Sequence, residues 1–280
     1  MSLPERVGVV GGGRMGAGIA HAFLVAGSHV TVLEADSALV GPAVERVNRS
    51  LRASAERGAL SCPAEAIATR FAVTVEDRQL AACDLVVEAV PEDLDLKRTV
   101  LRRIEGLCPH ADLATNTSSL SVGGIATALK QPERLVGLHF FNPVPASELV
   151  EVVVGPRTSG ELTKRAGDWV EGLGKTGITV TDSPGFASSR LGVAIALEAM
   201  RMVEDGVASA ADIDTAMTLG YRHPVGPLRT TDIVGLDVRL AIAEHLEREV
   251  GPRFAPPEIL RRKVAAGEFG RKTNRGFFDW

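Results

Sequence analysis

The chain has 280 residues, a formal net charge of −4 and a pI near 5.9. This length allows one large and one smaller domain, and the scattered basic residues argue against a nucleic-acid partner. We expect no membrane partner, because no apolar run approaches the roughly 18 residues of a membrane span. We also expect no signal peptide, since Met1–Arg6 leads directly into an apolar strand.

The three cysteines, Cys62, Cys83 and Cys108, are odd in number and widely spaced. They form neither a disulfide framework nor a metal-ligand pattern. We therefore interpret them as reduced thiols and expect a cytoplasmic protein without a metal site.

The first predicted strand, Val7–Val10, runs into the turn Gly11–Gly16 and then into a helix. The glycines follow the G-x-G-x-x-G pattern of dinucleotide-binding proteins. Gly11 allows a tight turn, Gly13 lets the backbone approach a pyrophosphate, and Gly16 permits close packing of helix on strand. The helix N-terminus offers its N–H groups to the phosphates. The order strand, turn, helix predicts a dinucleotide site.

A second predicted strand, His29–Leu33, ends in Glu34. An acid at this point accepts hydrogen bonds from the hydroxyl groups of an adenosine ribose. Glu34 and Asp36 give the ribose end a negative charge, and no Arg or Lys lies between Glu34 and Arg46. A 2′-phosphate would be repelled there, so the predicted cofactor is NAD rather than NADP.

Apolar strands alternate with helical stretches up to about Thr181, which indicates a doubly wound sheet. Helical spacing then dominates, as in Ala187–Val203 and Val234–Val250. The predicted fold class is α/β, a Rossmann-type, mostly parallel sheet followed by an all-α domain. We predict an NAD-binding domain over residues 1–183 and a helical domain over residues 184–280.

Polar residues interrupt two later apolar strands. Leu135–Leu138 is followed by His139, and Leu149–Val153 contains Glu151. A carboxylate among Val and Leu side chains needs a partner, and the obvious one is His139. Such a pair would make the imidazole a better proton acceptor, and Ser118 could hold a substrate oxygen beside it. A histidine at a strand end can equally be structural, and these residues alone leave both interpretations open.

Several motifs in fixed order resemble those of the L-3-hydroxyacyl-CoA dehydrogenases, especially the short 3-hydroxybutyryl-CoA type. The resemblance runs essentially end to end. After the glycine turn, the motifs are Glu88–Glu92 with Lys97, Asn116–Leu120, His139–Pro143, Asp182–Phe186, His223–Pro227, Gly270–Thr273 and Gly276–Phe278.

The resemblance implies a role for each matching residue. By position in the motifs, the family's catalytic residues match Ser118, His139 and Glu151, and its cofactor-side residues match Glu92 and Lys97. We therefore expect an NAD-dependent dehydrogenase that acts on a 3-hydroxyacyl thioester. His139 would take the C3 hydroxyl proton while hydride passes to the nicotinamide. The family also implies a homodimer through the helical domain, with a monomer as the alternative.

The chain departs from the family in residues that face the substrate. Ser189 stands where the family has an asparagine that reaches the substrate carbonyl, and Asn142 could contact substrate or anchor its turn. Ser54–Ala59 and Glu148 lack the family's usual lysines, which indicates less positive charge for coenzyme A. Two alternatives therefore stay open. One is the same reaction on a 3-hydroxyacyl or glyceryl unit bound to an acyl carrier protein. The other is a non-catalytic NAD-binding protein.

Overall fold

A computed structural model describes residues 3–280 of the chain. The contacts within the chain divide it into two compact units, and the boundary in sequence lies between Asp182 and Ser183. This division lies one residue before the boundary that the sequence predicts. No helix within residues 3–280 is long and apolar enough to cross a membrane.

The first unit is built on an eight-stranded sheet with the strand order β3-β2-β1-β4-β5-β6-β7-β8. All neighbouring strands are parallel except β6 and β7, which are antiparallel. The predicted doubly wound, mostly parallel sheet is confirmed. The strands are Arg6–Val10 (β1), His29–Leu33 (β2), Phe71–Thr74 (β3), Leu85–Glu88 (β4), Asp112–Thr115 (β5), Leu135–Phe140 (β6), Leu149–Val154 (β7) and Thr176–Thr181 (β8).

Six α-helices accompany this sheet, and polar side chains define where the longer ones begin. The Asp36 carboxylate accepts a hydrogen bond from the first turn of α2, and Asp93 and Ser159 do the same for α4 and α6. Each of these three helices presents an apolar face to the core of the unit. The helices are Arg14–Val25 (α1), Ser37–Glu56 (α2), Ala64–Ala68 (α3), Leu94–Leu107 (α4), Val122–Ala126 (α5) and Gly160–Gly172 (α6).

The second unit is helical and has a core of its own, which includes Met200, Leu228 and Leu246. The start of the helix predicted over Val234–Val250 is wrong. Gly235 has a φ of 108° and separates two helices, so the second helix begins at Leu236. One turn of π-helix follows α8. The helices are Ser188–Glu204 (α7), Ala210–Thr215 (α8), Pro227–Val234 (α9), Leu236–Val250 (α10) and Glu258–Ala265 (α11).

Two buried acids tie the second unit together. Asp232 accepts hydrogen bonds of 2.9 Å from the backbone N–H groups of Phe277 and Phe278 and from the Trp280 indole. Asp214 accepts two more from backbone N–H groups in the first turn of α9. The C-terminal segment is therefore held by a carboxylate as well as by its aromatic side chains.

His21 lies on the buried face of α1 and is only 4% exposed. Its Nε2 atom lies 3.5 Å from the Ser54 hydroxyl, and its Nδ1 atom has no hydrogen-bond partner among residues 3–280. Burial, with smaller contributions from Arg57 and Lys175, lowers the pKa of His21 to about 4. The folded protein therefore keeps this imidazole neutral.

This burial predicts a loss of stability in mild acid. An unfolded chain protonates His21 below about pH 6.5, whereas the folded protein does so only near pH 4. The unfolded state thus binds more protons between these values, and folding weakens as the pH falls. We expect the free energy of unfolding to drop by about 2 kcal/mol between roughly pH 7.5 and 5 through this group alone. Urea denaturation followed by circular dichroism at both pH values measures the drop.

The variant His21→Gln should lose this part of the pH dependence, because glutamine does not titrate. His110→Gln is the matched control for the substitution itself, since His110 is exposed. An identical pH dependence in wild type and His21→Gln would contradict the assignment.

Candidate active site

The predicted site residues gather at one edge of the sheet. Strands β1, β4, β5 and β6 are parallel neighbours, so their carboxyl ends lie side by side. The register places Val10 beside Glu88 and Glu88 beside Thr115. Three strand spacings separate β1 from β6, roughly 14 Å in all. Ligands of open α/β sheets bind at this edge.

The glycine turn has the geometry that its sequence predicts. Gly11 has a φ of +94°, and a side chain there would press against the Ala89 carbonyl. A Cβ atom on Gly16 would collide with the Gly11 carbonyl oxygen, whereas one on Gly13 would meet nothing within 4 Å. The backbone at Gly13 therefore borders open space at the start of α1, where helix N–H groups favour an anion. The turn fits a dinucleotide pyrophosphate.

The predicted ribose acid lies against this turn. The Glu34 carboxylate accepts a hydrogen bond of 2.9 Å from the Gly12 N–H, while Asp36 caps α2. Arg46 of α2 donates to the Gly12 carbonyl at 3.2 Å. One cation thus does lie near the acid. Arg46 lies 12 residues after Glu34 in sequence, and only the packing of α2 brings it to the turn.

His139 and Glu151 form a buried pair. Nδ1 of His139 lies 2.7 Å from a carboxylate oxygen of Glu151, which is 0% exposed. The antiparallel register of β6 and β7 places the two residues directly opposite each other. His139 is the second-last residue of β6 and therefore lies at the carboxyl end of the strand, as the sequence predicts. The ring of Phe141 packs against the imidazole with centroids 4.5 Å apart.

A second polar contact joins the ends of β5 and β6. The side-chain oxygen of Asn116 accepts a hydrogen bond of 3.0 Å from the Phe140 N–H. This fixes the backbone beside His139. The sequence analysis assigned Asn116 to a motif but predicted no role for this residue. Its partner, the Phe140 N–H, belongs to the neighbouring strand β6.

A buried charge network lies at the end of β4. Lys97 is 1% exposed, and its ammonium group lies 2.8 Å from Glu88 and 3.2 Å from Glu92. Glu88 also accepts hydrogen bonds from the Val90 N–H at 2.7 Å and the Thr115 hydroxyl at 2.6 Å. Full hydrogen bonding makes these buried charges tolerable. The sequence named Glu88 only as the start of a motif.

Ser118 lies in the loop after β5 and is exposed. Its N–H donates to Glu92 at 2.9 Å, and Thr117 and Ser119 contact the same oxygen. Burial raises the pKa of Glu92, but Lys97 and hydrogen bonds from this loop outweigh it and lower the pKa to about 2. The Glu92 carboxylate is therefore ionised at any working pH.

A cavity of about 640 Å³ opens between α1, α2 and the loop that follows β6. Asn142 lines this cavity together with residues 143–146. This segment begins three residues after His139. Four arginines also line it and give this cavity a positive charge. They are Arg14, Arg46, Arg49 and Arg57.

Helical spacing could have revealed these arginines. Arg46, Arg49, Ala53 and Arg57 follow one another at intervals of three or four residues, so they lie on one face of α2 and its C-cap. Arginine matches the geometry of phosphate oxygens better than lysine does.

Ser189 lies in the first turn of α7 in the helical unit and is half-buried. The fold places the other predicted site residues in the first unit. Within residues 3–280, no group of three or more His, Cys, Asp or Glu side chains is arranged to hold a metal ion.

Comparisons with known proteins agree with this geometry. Residues 6–183 match the NAD-binding domain of 3-hydroxyacyl-CoA dehydrogenases, and residues 185–280 match their C-terminal domain. A 3-hydroxybutyryl-CoA dehydrogenase of Mycobacterium tuberculosis is 39% identical over 99% of this chain and 98% of its own. The human mitochondrial hydroxyacyl-coenzyme A dehydrogenase is 36% identical, with 99% of this chain and 92% of its own covered.

A solved structure is also similar throughout. The (S)-3-hydroxybutyryl-CoA dehydrogenase of Ralstonia eutropha superposes with a TM-score of 0.95 at 38% identity, covering 99% of each chain. The resemblance inferred from the motifs is confirmed. The chain belongs to the 3-hydroxyacyl-CoA dehydrogenase family.

Proposed function

We propose that this protein is an NAD-dependent dehydrogenase of short 3-hydroxyacyl-CoA thioesters. It transfers hydride between C3 of the acyl chain and the nicotinamide. The buried His139–Glu151 pair, on the same sheet edge as the glycine turn, carries the proposal. The family of the chain and its similarity to two named 3-hydroxybutyryl-CoA dehydrogenases support the substrate class.

His139 is the proposed general base. Its Nδ1 atom faces Glu151, so the imidazole N–H lies on that side and Nε2 accepts the C3 hydroxyl proton. The buried carboxylate attracts the positive charge that the ring gains. In the reverse direction the imidazolium returns the proton to the C3 oxygen. Ser118 would hydrogen-bond that oxygen.

NAD, when bound, supplies the hydride acceptor. The protein residues proposed to hold it are the glycines Gly11, Gly13 and Gly16, with Glu34 at the adenosine ribose. Glu92 and Lys97 lie on the cofactor side of the site by their place in the family motif. Their contribution is charge and position, since neither exchanges a proton in the proposed reaction.

The first test is the substitution His139→Gln, which keeps polarity but removes the base. Because general acid–base catalysis contributes about 10²–10⁴-fold, we expect kcat for acetoacetyl-CoA reduction to fall by that factor. The Kd for NADH, measured by fluorescence, should stay nearly unchanged. Glu151→Gln should lower kcat less, since the imidazole remains but loses its counter-charge.

His110→Gln is the control for these two variants, because His110 is exposed and lies outside the site. A loss below tenfold for His139→Gln would reject its role. NADH binding without turnover in the wild type would favour the non-catalytic alternative.

We propose that the arginine-lined cavity is the binding site for the phosphate groups of coenzyme A. Four guanidinium groups give it a positive charge, and arginine pairs with phosphate oxygens through two donors at once. Asn142 lines the cavity and lies three residues after His139. The cavity is therefore bordered by the loop that follows the proposed base. Ser189 remains a proposed substrate contact because of its place in the family motif.

Removing one cavity cation should weaken binding of the phosphate-bearing thioester only. We expect Arg49→Gln to raise KM for acetoacetyl-CoA roughly three- to tenfold, as one exposed charge contact is worth about 1 kcal/mol. The increase should shrink at high salt. The N-acetylcysteamine thioester lacks phosphates, so its KM should not change.

Arg52→Gln is the matched control, since Arg52 lies on the same helix but pairs with Glu45 outside the cavity. Equal KM changes for both thioesters would reject the phosphate assignment. Turnover of an acyl-carrier-protein thioester without turnover of acetoacetyl-CoA would favour the carrier-bound substrate.

We also propose that the protein is a homodimer joined through its helical unit. Large apolar side chains are exposed on these helices, among them Leu191 at 63% and Ile195 on α7 and Val238 on α10. Burying such a surface against a second copy stabilises a dimer.

Sedimentation velocity at micromolar concentration tests the dimer. The wild type should sediment as twice its 29.5 kDa mass, and Leu191→Glu should shift it toward the monomer. Val207→Glu is the control, because Val207 is equally exposed but lies in the turn after α7. A wild-type monomer, or an equal shift in both variants, would contradict the proposal.

The proposed location is the cytoplasm. All three cysteines are free, and Cys83 and Cys108 are buried. Free buried thiols are typical of proteins from a reducing compartment.

A further inference from the structure

One carboxylate oxygen of Glu92 accepts hydrogen bonds from Thr117, Ser118 and Ser119, which form the serine loop after β5. Oε1 of Glu92 accepts hydrogen bonds from the Thr117 hydroxyl at 2.7 Å and from the N–H groups of Ser118 and Ser119 at 2.9 and 3.0 Å. The hydroxyls of Ser119 and Ser118 contact the same oxygen at 3.0 and 3.3 Å. These contacts link loops about 25 residues apart in sequence.

More donors approach this oxygen than it can satisfy at once. A carboxylate offers about four lone-pair sites over its two oxygens, whereas five donors surround Oε1 alone. The Ser118 hydroxyl makes the longest of these contacts and is the easiest to release. It can therefore turn to a substrate oxygen while its own N–H and the Thr117 hydroxyl keep the loop in place.

Glu92 is itself held in position. Its other oxygen, Oε2, lies 3.2 Å from the Lys97 ammonium group, which Glu88 fixes at 2.8 Å. Glu88 and Lys97 are almost wholly buried, so this end of the network cannot shift without leaving a buried charge unpaired. The Glu92 side chain, which is 33% exposed, thus joins a rigid interior to an exposed loop.

We propose that Glu92 is a positioning residue, which holds Ser118 where it meets the substrate C3 oxygen. This extends its expected role on the cofactor side and rests on the proposed function of Ser118. The physical reason is that Ser118 is exposed on a loop, and a displacement of about 1 Å can reduce a rate roughly a hundredfold. Backbone hydrogen bonds from Ser118 and Ser119 to a fixed carboxylate prevent that displacement.

The negative charge matters as well as the shape. A glutamine at this position keeps one oxygen for the serine loop, but its amide N–H₂ then faces the Lys97 ammonium group, and two donors repel. Turning the amide around would present N–H₂ to the backbone N–H groups of Ser118 and Ser119, which can only donate. Glu92→Gln should therefore loosen the loop in either orientation.

A double-mutant cycle separates positioning from cofactor binding. We expect Glu92→Gln to lower kcat for acetoacetyl-CoA reduction about ten- to a hundredfold, with less than roughly threefold change in KM for NADH. In the Ser118→Ala background the same substitution should lower kcat less than about threefold, because no hydroxyl remains to be positioned. Additive losses, or a raised KM for NADH with kcat unchanged, would overturn the proposal.

Glu105→Gln is the matched control. Glu105 is a buried carboxylate that likewise accepts hydrogen bonds from two backbone N–H groups, those of Lys130 and Gln131, but on another loop. It should lower stability without lowering kcat. A comparable kcat loss in Glu105→Gln would mean that general loosening explains the effect, which would overturn the proposal.

Amide hydrogen exchange gives a readout that needs no turnover. We expect exchange of the Ser118 and Ser119 N–H groups to accelerate at least about tenfold in Glu92→Gln and to stay unchanged in Glu105→Gln. Unchanged exchange at both serines in Glu92→Gln would overturn the positioning role. An inactive wild type with accelerated exchange in the variant would reject the proposed dehydrogenase reaction and leave the anchoring of the loop established.

Discussion

The site depends on one cross-strand pair in the interior, the Glu151 carboxylate opposite the His139 imidazole. A fully buried carboxylate without a partner would destabilise the fold by several kcal/mol, so the pair fixes the register of β6 against β7. A slip by one residue would turn Glu151 to the other face of the sheet. The proposed chemistry and the folding of this strand pair therefore require the same contact. The antiparallel return of β7 is what makes it possible, because it places the two side chains opposite each other.

Around that pair, the parallel strands assemble everything else at their carboxyl ends. The glycine turn, the Glu88–Lys97–Glu92 network and the Ser118 loop come from separate parts of the chain and meet along one sheet edge. Two kinds of rigidity support them. Apolar strands buried on both faces hold the framework, while hydrogen-bonded charges hold the loops that leave it. The side chains closest to the proposed chemistry are thus anchored to groups that cannot move independently.

The arginine-lined cavity is the proposed site of the coenzyme A phosphates, and its charge comes mostly from residues outside the segment where the family has lysines. The Ser54–Ala59 segment lacks the lysines usual in the family, but its Arg57 lines the cavity together with Arg14 of α1 and Arg46 and Arg49 of α2. Positive potential depends on where charges lie in space and not on the segment that supplies them. The proposed binding of a polyanionic thioester carrier rests on this charge.

The sequence by itself determined the features that rest on local patterns. Apolar runs and helical spacing predicted the alternating fold, the G-x-G-x-x-G turn predicted its own backbone geometry, and motifs in fixed order identified the family. It also named His139 and Glu151 as partners, because a buried acid requires one. Only the tertiary structure decided contacts between distant segments: the Glu92 oxygen shared by the serine loop, the Asn116 bond to β6, and the convergence of Arg14 with the arginines of α2. Each joins residues about 24 or more apart in the chain, or different helices, and packing of the whole sheet selects among the many partners that such polar groups could find.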